Sequence, residues 1–149
     1  MYENIKLIIF DFFGVLSSEV APFWLERYFD KETAKEIKSK IVSQVDSGEL
    51  TEDELNLKLA ELANVSAETV KREWKELVKI NNKLVSFIKE LKKEYTIALL
   101  SNASDTFLRR ILDENELNSI FDVIMISSEE KITKPNIEIY ENLLKKVNV

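Results

Sequence analysis

The chain contains no histidine and no cysteine, and only two glycines and two prolines among its 149 residues. Without imidazole there is no Ser-His-Asp triad, and without imidazole or thiol none of the usual zinc sites can be built. The lack of cysteine also excludes a disulfide scaffold. Any chemistry must come from carboxylates, lysines, hydroxyls and amides. No apolar run approaches the roughly 20 residues that cross a bilayer, and the N-terminus lacks the charged-then-apolar pattern of a signal peptide. The expectation is a soluble, cytoplasmic protein with no membrane partner. Lys and Arg number 21 against 27 Asp and Glu, for a net charge of −6. No basic cluster interleaves with aromatics, which excludes a nucleic-acid groove. What is present is a globular composition, 45% hydrophobic and 32% charged, in a chain long enough to bury roughly two-thirds of its unfolded surface around one core.

The run Lys6–Phe10 is too short for a helix and rich in β-branched residues, so it reads as a strand buried on both faces. It stops at Asp11, three residues before Gly14. From Ser17 to about Lys93 apolar residues recur at helical spacing. Val20, Phe23, Trp24 and Tyr28 mark one helix, and Ile37, Ile41 and Val45 a second. Leu55, Leu59 and Leu62 follow a capping box formed by Thr51 and Glu54. Val70, Trp74 and Leu77 follow Ser66, and Leu84, Phe87, Ile88 and Leu91 follow a cap at Asn81 or Asn82. Phe23, Trp24 and Trp74 are expected in the core, and the Glu-Lys runs Lys31–Lys40 and Lys71–Lys79 on solvated helix faces. Tyr95–Leu100 is a second buried strand, ending at Ser101-Asn102. Ser104–Leu117 is amphipathic, Phe121–Ile126 is a third strand, and a polar loop leads to Lys134. Pro135 suits the first turn of a last helix with Ile139, Leu143 and Leu144 on one face. Strands alternating with helices predict an α/β fold with right-handed crossovers.

In open parallel sheets ligands bind beyond the carboxyl ends of the strands. Asp11, Ser101-Asn102 and Lys134 all fall there. Read singly, they are a turn residue, a helix cap and a solvated lysine. Together they are a nucleophile able to form an ester, a hydroxyl, and an ammonium to hold the oxygens of a transferring phosphoryl group. The backbone N–H groups of Phe12, Phe13 and Gly14 add candidate donors. The order of elements also excludes a receiver domain, in which the phosphorylated aspartate follows the third strand and an acidic pair the first.

Ile8–Leu16, Leu99–Asn102 and Lys134–Tyr140 resemble, in order, the first three motifs of the haloacid dehalogenase (HAD) superfamily, and the helical insertion after the first resembles its C1 cap. The resemblance covers essentially the whole chain. It implies a three-layer α/β Rossmann-like parallel core, residues 1–16 and 82–149, with a cap over 17–81 that closes on a small-molecule substrate. It implies Asp11 as nucleophile, Ser101 and Asn102 with the turn at 12–14 as the substrate-binding set, and Lys134 as the residue that orients and neutralises nucleophile and phosphate. It further implies Mg²⁺ on Asp11 and the backbone carbonyl of Phe13.

Two departures qualify the expected activity. The second Asp that serves phosphatases of this superfamily as acid and base is here Phe13, which transfers no proton. An aromatic residue there resembles the dehalogenase branch, although that branch usually has Thr where this chain has Val15. The fourth motif, an acidic pair on a further strand, is not reached before Val149. Mg²⁺ is therefore expected to be weakly bound or absent. The first strand is expected to present an open edge that invites homo-oligomerisation, and the chain is expected to be a truncated product, a fragment or a domain completed by a partner. The expected function is hydrolysis of a small organic phosphate through an aspartyl-phosphate on Asp11. The alternatives are a non-catalytic remnant that binds an anion or a partner protein, and a metal-independent haloacid dehalogenase.

Overall fold

Three short apolar runs pair in parallel, because the long helical connections between them carry the chain back to the same end of the sheet. In the computed structural model, which describes residues 3–149, the strands are β1 (Leu7–Phe10), β2 (Thr96–Ser101) and β3 (Val123–Ile126), in the order β1-β2-β3. Leu7 pairs with Thr96 and Phe10 with Leu99; Ala98 pairs with Val123 and Ser101 with Ile126. β2 is central and Ile97 to Leu100 are fully buried. Its alternate residues enter two cores. Ile97 and Leu99 pack with Phe12, Leu16, Ile88, Leu108 and Leu112. Ala98 and Leu100 pack with Met125, Ile139 and Leu143.

The helices α6 (Asn82–Leu91) and α7 (Asp105–Glu114) therefore cover one face of the sheet and α9 (Ile137–Lys146) the other. This is the expected three-layer α/β core. α9 leaves the outer face of β1 open, and Ile9 is exposed there.

Between β1 and α6 lie α1 (Ala21–Tyr28), α2 (Lys31–Ile37), a π-helical turn (Lys38–Val42), α3 (Ser43–Asp46), α4 (Glu52–Ala63) and α5 (Ala67–Leu77). They enclose their own core of Trp24, Leu25, Ile37, Val45, Leu59 and Val70 among others. The two strands of chain that lead into and out of this insertion are stitched together. Ser18 Oγ donates to the Leu77 carbonyl (2.6 Å) and accepts from Lys79 N–H (3.0 Å), and Asn81 N–H donates to the Leu16 carbonyl (2.7 Å).

Local expectations hold at the caps. Thr51 and Glu54 form both halves of the capping box, Ser66 and Ser104 cap α5 and α7, and Asn81 rather than Asn82 caps α6. Other expectations are corrected. Pro135 precedes the last helix instead of lying in its first turn, because Asn136 takes the cap by accepting from Glu138 N–H (3.0 Å). Residues Ser127–Glu130, read as loop, form the short helix α8; their polar run carries no apolar period to betray it. Phe23, Leu62, Phe87 and Leu144 are exposed, not core. Beside three of them a neighbour takes the buried place: Trp24 for Phe23, Ile88 for Phe87 and Leu143 for Leu144. Glu73, in a run read as solvated, is buried and accepts from Tyr28 Oη (2.5 Å) and Arg27 Nη1 (2.8 Å). The Tyr28 hydroxyl, foremost, holds its carboxyl below the usual range.

Candidate active site

The parallel register brings three chain segments to one end of the sheet. Asp11 follows Phe10 directly, Asn102 follows Ser101 at the end of β2, and Lys134 arrives from the loop beyond α8. That loop is tied down by the asparagine. Asn102 Oδ1 accepts from Lys134 N–H (2.9 Å), and Asn102 Nδ2 donates to the Lys134 carbonyl (3.1 Å). The lysine side chain, so anchored, donates from Nζ to the Leu100 carbonyl (3.0 Å) and lies 3.1 Å from Asp11 Oδ2. The other carboxylate oxygen, Oδ1, accepts from Phe12 N–H (2.7 Å). Residues far apart in sequence thus place an oriented carboxylate against an ammonium.

Two serines of α8 fix the neighbouring turn. Ser127 Oγ accepts from Ala103 N–H (3.0 Å) and Ser128 Oγ from Asp105 N–H (2.8 Å). The backbone beyond β2 is thereby set by side chains of a helix that carries no apolar period.

Ser101 is fully buried, and its Oγ has no hydrogen-bond partner among the described residues. A buried hydroxyl left unpaired is destabilising by about 1–3 kcal/mol. In the turn after Asp11, Phe12 N–H is taken by the Asp11 carboxylate and Gly14 N–H by the Ser17 carbonyl (2.7 Å). Of the three backbone donors expected there, Phe13 N–H alone is unengaged among the described residues. Gly14 has φ +85°, a left-handed conformation that a side chain would strain.

A cavity of about 280 Å³ opens over Asp11, Phe13, Asn102 and Lys134. The core contributes Asp11, Phe13, Asn102, Phe107 and Lys134, and the insertion contributes Lys38, Val45, Asp46, Asn56, Lys71 and Trp74. Phe13 stacks on Phe107 (6.0 Å between ring centres, 8° between planes), and Trp74 meets Phe107 edge-on at 5.8 Å. Of the expected substrate-binding set, Phe13 and Asn102 line this cavity, and Phe12, Gly14 and the fully buried Ser101 do not. Trp74, expected as pure core, is one of its walls; Lys71 is exposed, as expected, and also lines it. Asp46, Asn56 and Phe107 carried no signal in the sequence. Asp46 ends a short polar helix and Asn56 and Phe107 lie on amphipathic ones, and only packing brings them to the cavity that Asp11 lines.

A family model for haloacid dehalogenase-like hydrolases matches residues 5–149. The chain belongs to the haloacid dehalogenase-like hydrolase family. A HAD family enzyme from Bacteroides thetaiotaomicron, solved in complex with magnesium and inorganic phosphate, superposes with a TM-score of 0.76 at 22% identity, over 95% of this chain and 78% of that one. The L-2-haloacid dehalogenase from Xanthobacter autotrophicus, solved with chloropropionic acid covalently bound, superposes with a TM-score of 0.64 at 17% identity, over 97% of this chain and 66% of that one. No curated protein sequence matches. The HAD fold expected from the three motifs is therefore the fold of this chain.

Magnesium accompanies HAD relatives in crystals, but the donors described here do not fit a tightly held ion. No three acidic side chains gather among the described residues, and the Asp11 carboxylate is already engaged by Phe12 N–H and the Lys134 ammonium. Asp11 with the Phe13 carbonyl would leave most of an octahedral shell to water. No helix among the described residues is long and apolar enough to cross a membrane.

Proposed function

We propose that the chain hydrolyses a small organic phosphomonoester through an aspartyl-phosphate on Asp11, with the helical insertion as the cap over the substrate. The observation that carries this reading is the Asp11–Lys134 pair, 3.1 Å apart at the carboxyl end of the sheet. Lys134 holds the carboxylate in one orientation and offsets the repulsion between it and an incoming phosphate dianion. Asp11 attacks phosphorus, the ester oxygen leaves, and water then hydrolyses the acyl-phosphate. Phe13, whose N–H is unengaged among the described residues, lines the cavity and supplies a donor for a phosphoryl oxygen. Lys38 and Lys71 add positive charge to the cavity wall.

A second reading has an observation of its own. Phe13 replaces a proton donor with an aromatic ring stacked on Phe107, and displacement of halide from carbon needs no proton. Isotope placement separates the two. In H₂¹⁸O, attack of water at phosphorus labels the released phosphate, whereas hydrolysis of an alkyl ester at its carbonyl carbon labels Asp11. Asp11→Asn is expected to lower kcat by about 10³-fold or more with an unchanged Tm. Full turnover by that variant would end both readings.

A further inference from the structure

Phe13 leaves the proposed reaction without a proton donor on the core, and the insertion brings a carboxyl to the same cavity. We propose that Asp46, at the end of α3, protonates the leaving oxygen and then takes the proton of the attacking water; the proposal rests on the phosphomonoesterase reading. Two features place Asp46 at the site. It lines the main cavity together with Asp11, Phe13 and Lys134. It also lines a more open adjoining cavity, and the residues common to both are Asp46, Asn102 and Lys134. Asp46 is thus an insertion carboxyl that lines both cavities together with the strand-end residues Asn102 and Lys134.

Elimination among the cavity's carboxylates leads to the same residue. Asp11 is held by Lys134, Glu52 is clamped by both guanidinium nitrogens of Arg110 (3.0 and 2.6 Å), and Glu19 is exposed to solvent. Asp46 is half-buried and has neither an ion pair nor a side-chain hydrogen bond among the described residues. The charged groups that line these cavities with it are Lys38 in the preceding π-helical turn, Glu19, Glu52 and Lys71 of the insertion, Asp11 and Lys134 of the core, and Glu49 in the adjoining cavity; among them Lys38 acts on its charge. Burial pushes its carboxyl up to about 6, against the opposing pull of Lys38. A proton is thus available near neutrality, where general acids work best.

In the first step the Asp11 oxygen bonds to phosphorus, the phosphorus–ester oxygen bond breaks with its electron pair on that oxygen, and the Asp46 proton converts it to the free alcohol. In the second step a water oxygen bonds to phosphorus and its proton passes to the Asp46 carboxylate. The pair of the breaking acyl-phosphate bond returns to Asp11, and both residues are restored.

The test compares the wild type, Asp46→Asn and Asp46→Glu on an alkyl phosphate and on p-nitrophenyl phosphate, whose leaving group needs no proton. Asp46→Asn is expected to lose roughly 100-fold or more in kcat/KM on the alkyl ester and less than about threefold on the nitrophenyl ester. Its pH–rate profile is expected to lose the limb near 6, and Asp46→Glu to recover part of the alkyl rate. Equal losses on both esters, or no loss on either, overturn the role of Asp46 while leaving the phosphomonoesterase reading intact. A wild type that releases phosphate from neither ester overturns both.

Discussion

At the scale of single residues, position 46 joins chemistry to stability. Its carboxyl lies near 6 in the fold against an ordinary 3.8, so the folded state binds a proton that the unfolded chain has released. Stability from this group is complete below pH 3.8 and is lost as pH rises through about 6. Asp46→Asn removes the ionisable group, and its Tm is expected to exceed that of the wild type at pH 7.5, by about 1–3 kcal/mol in unfolding free energy, with the gain vanishing near pH 4. Calorimetry at the two pH values checks this, and a variant less stable at pH 7.5 would refute it. Asp11 and Lys134 were legible in the sequence because each terminates or follows a strand. Asp46 was not, because an acidic residue at the end of a short polar helix has no local mark.

Elements are joined by a few polar side chains whose partners lie far along the chain. Asp122, just before β3, accepts from Ile97 N–H at the start of β2 (2.8 Å) and from Lys92 Nζ after α6 (2.7 Å). The Lys92 hydrogen bond, foremost, holds its carboxyl below the ordinary 3.8. The sign is opposite to that of Asp46. This contribution is present above the unfolded carboxylate value and is lost as pH falls through the lowered one. Asp122→Ala is expected to lower stability by about 1 kcal/mol at pH 7, and the difference from the wild type is expected to shrink below pH 3 in denaturant titrations. The sequence disclosed β2 and β3 by their apolar runs and disclosed most caps. It did not disclose α8, whose serines hold the turn after β2, nor that α9 is capped by Asn136 and not opened by Pro135. In both places a long-range or competing hydrogen bond outweighed local preference.

On the scale of the whole molecule, the insertion is fastened to the core over the cavity. Glu52 of α4 takes a bidentate contact from Arg110 of α7 and a further hydrogen bond from Thr106 Oγ1 (3.1 Å). Glu52→Ala is expected to lower stability by about 1–3 kcal/mol, to speed hydrogen exchange in α4 and α7, and to raise KM more than it lowers kcat. The exposed Lys75–Glu114 pair (3.3 Å) spans the same two bodies, and Lys75→Ala is expected to change stability by less than about 0.5 kcal/mol. β1, with Ile9 exposed at the open side of the sheet, predicts concentration-dependent association that Ile9→Lys suppresses. Light scattering over a range of concentrations measures it, and a monomer throughout would contradict it. The sequence by itself determined the parallel α/β core, the helical insertion and the strand-end residues, because periodicity and strand termini are local properties of the chain. Tertiary structure alone decided that Asp46, Lys71, Trp74 and Phe107 line one cavity with Asp11. Which side of an amphipathic helix meets a cavity depends on how two separately packed cores dock, and no local pattern encodes that.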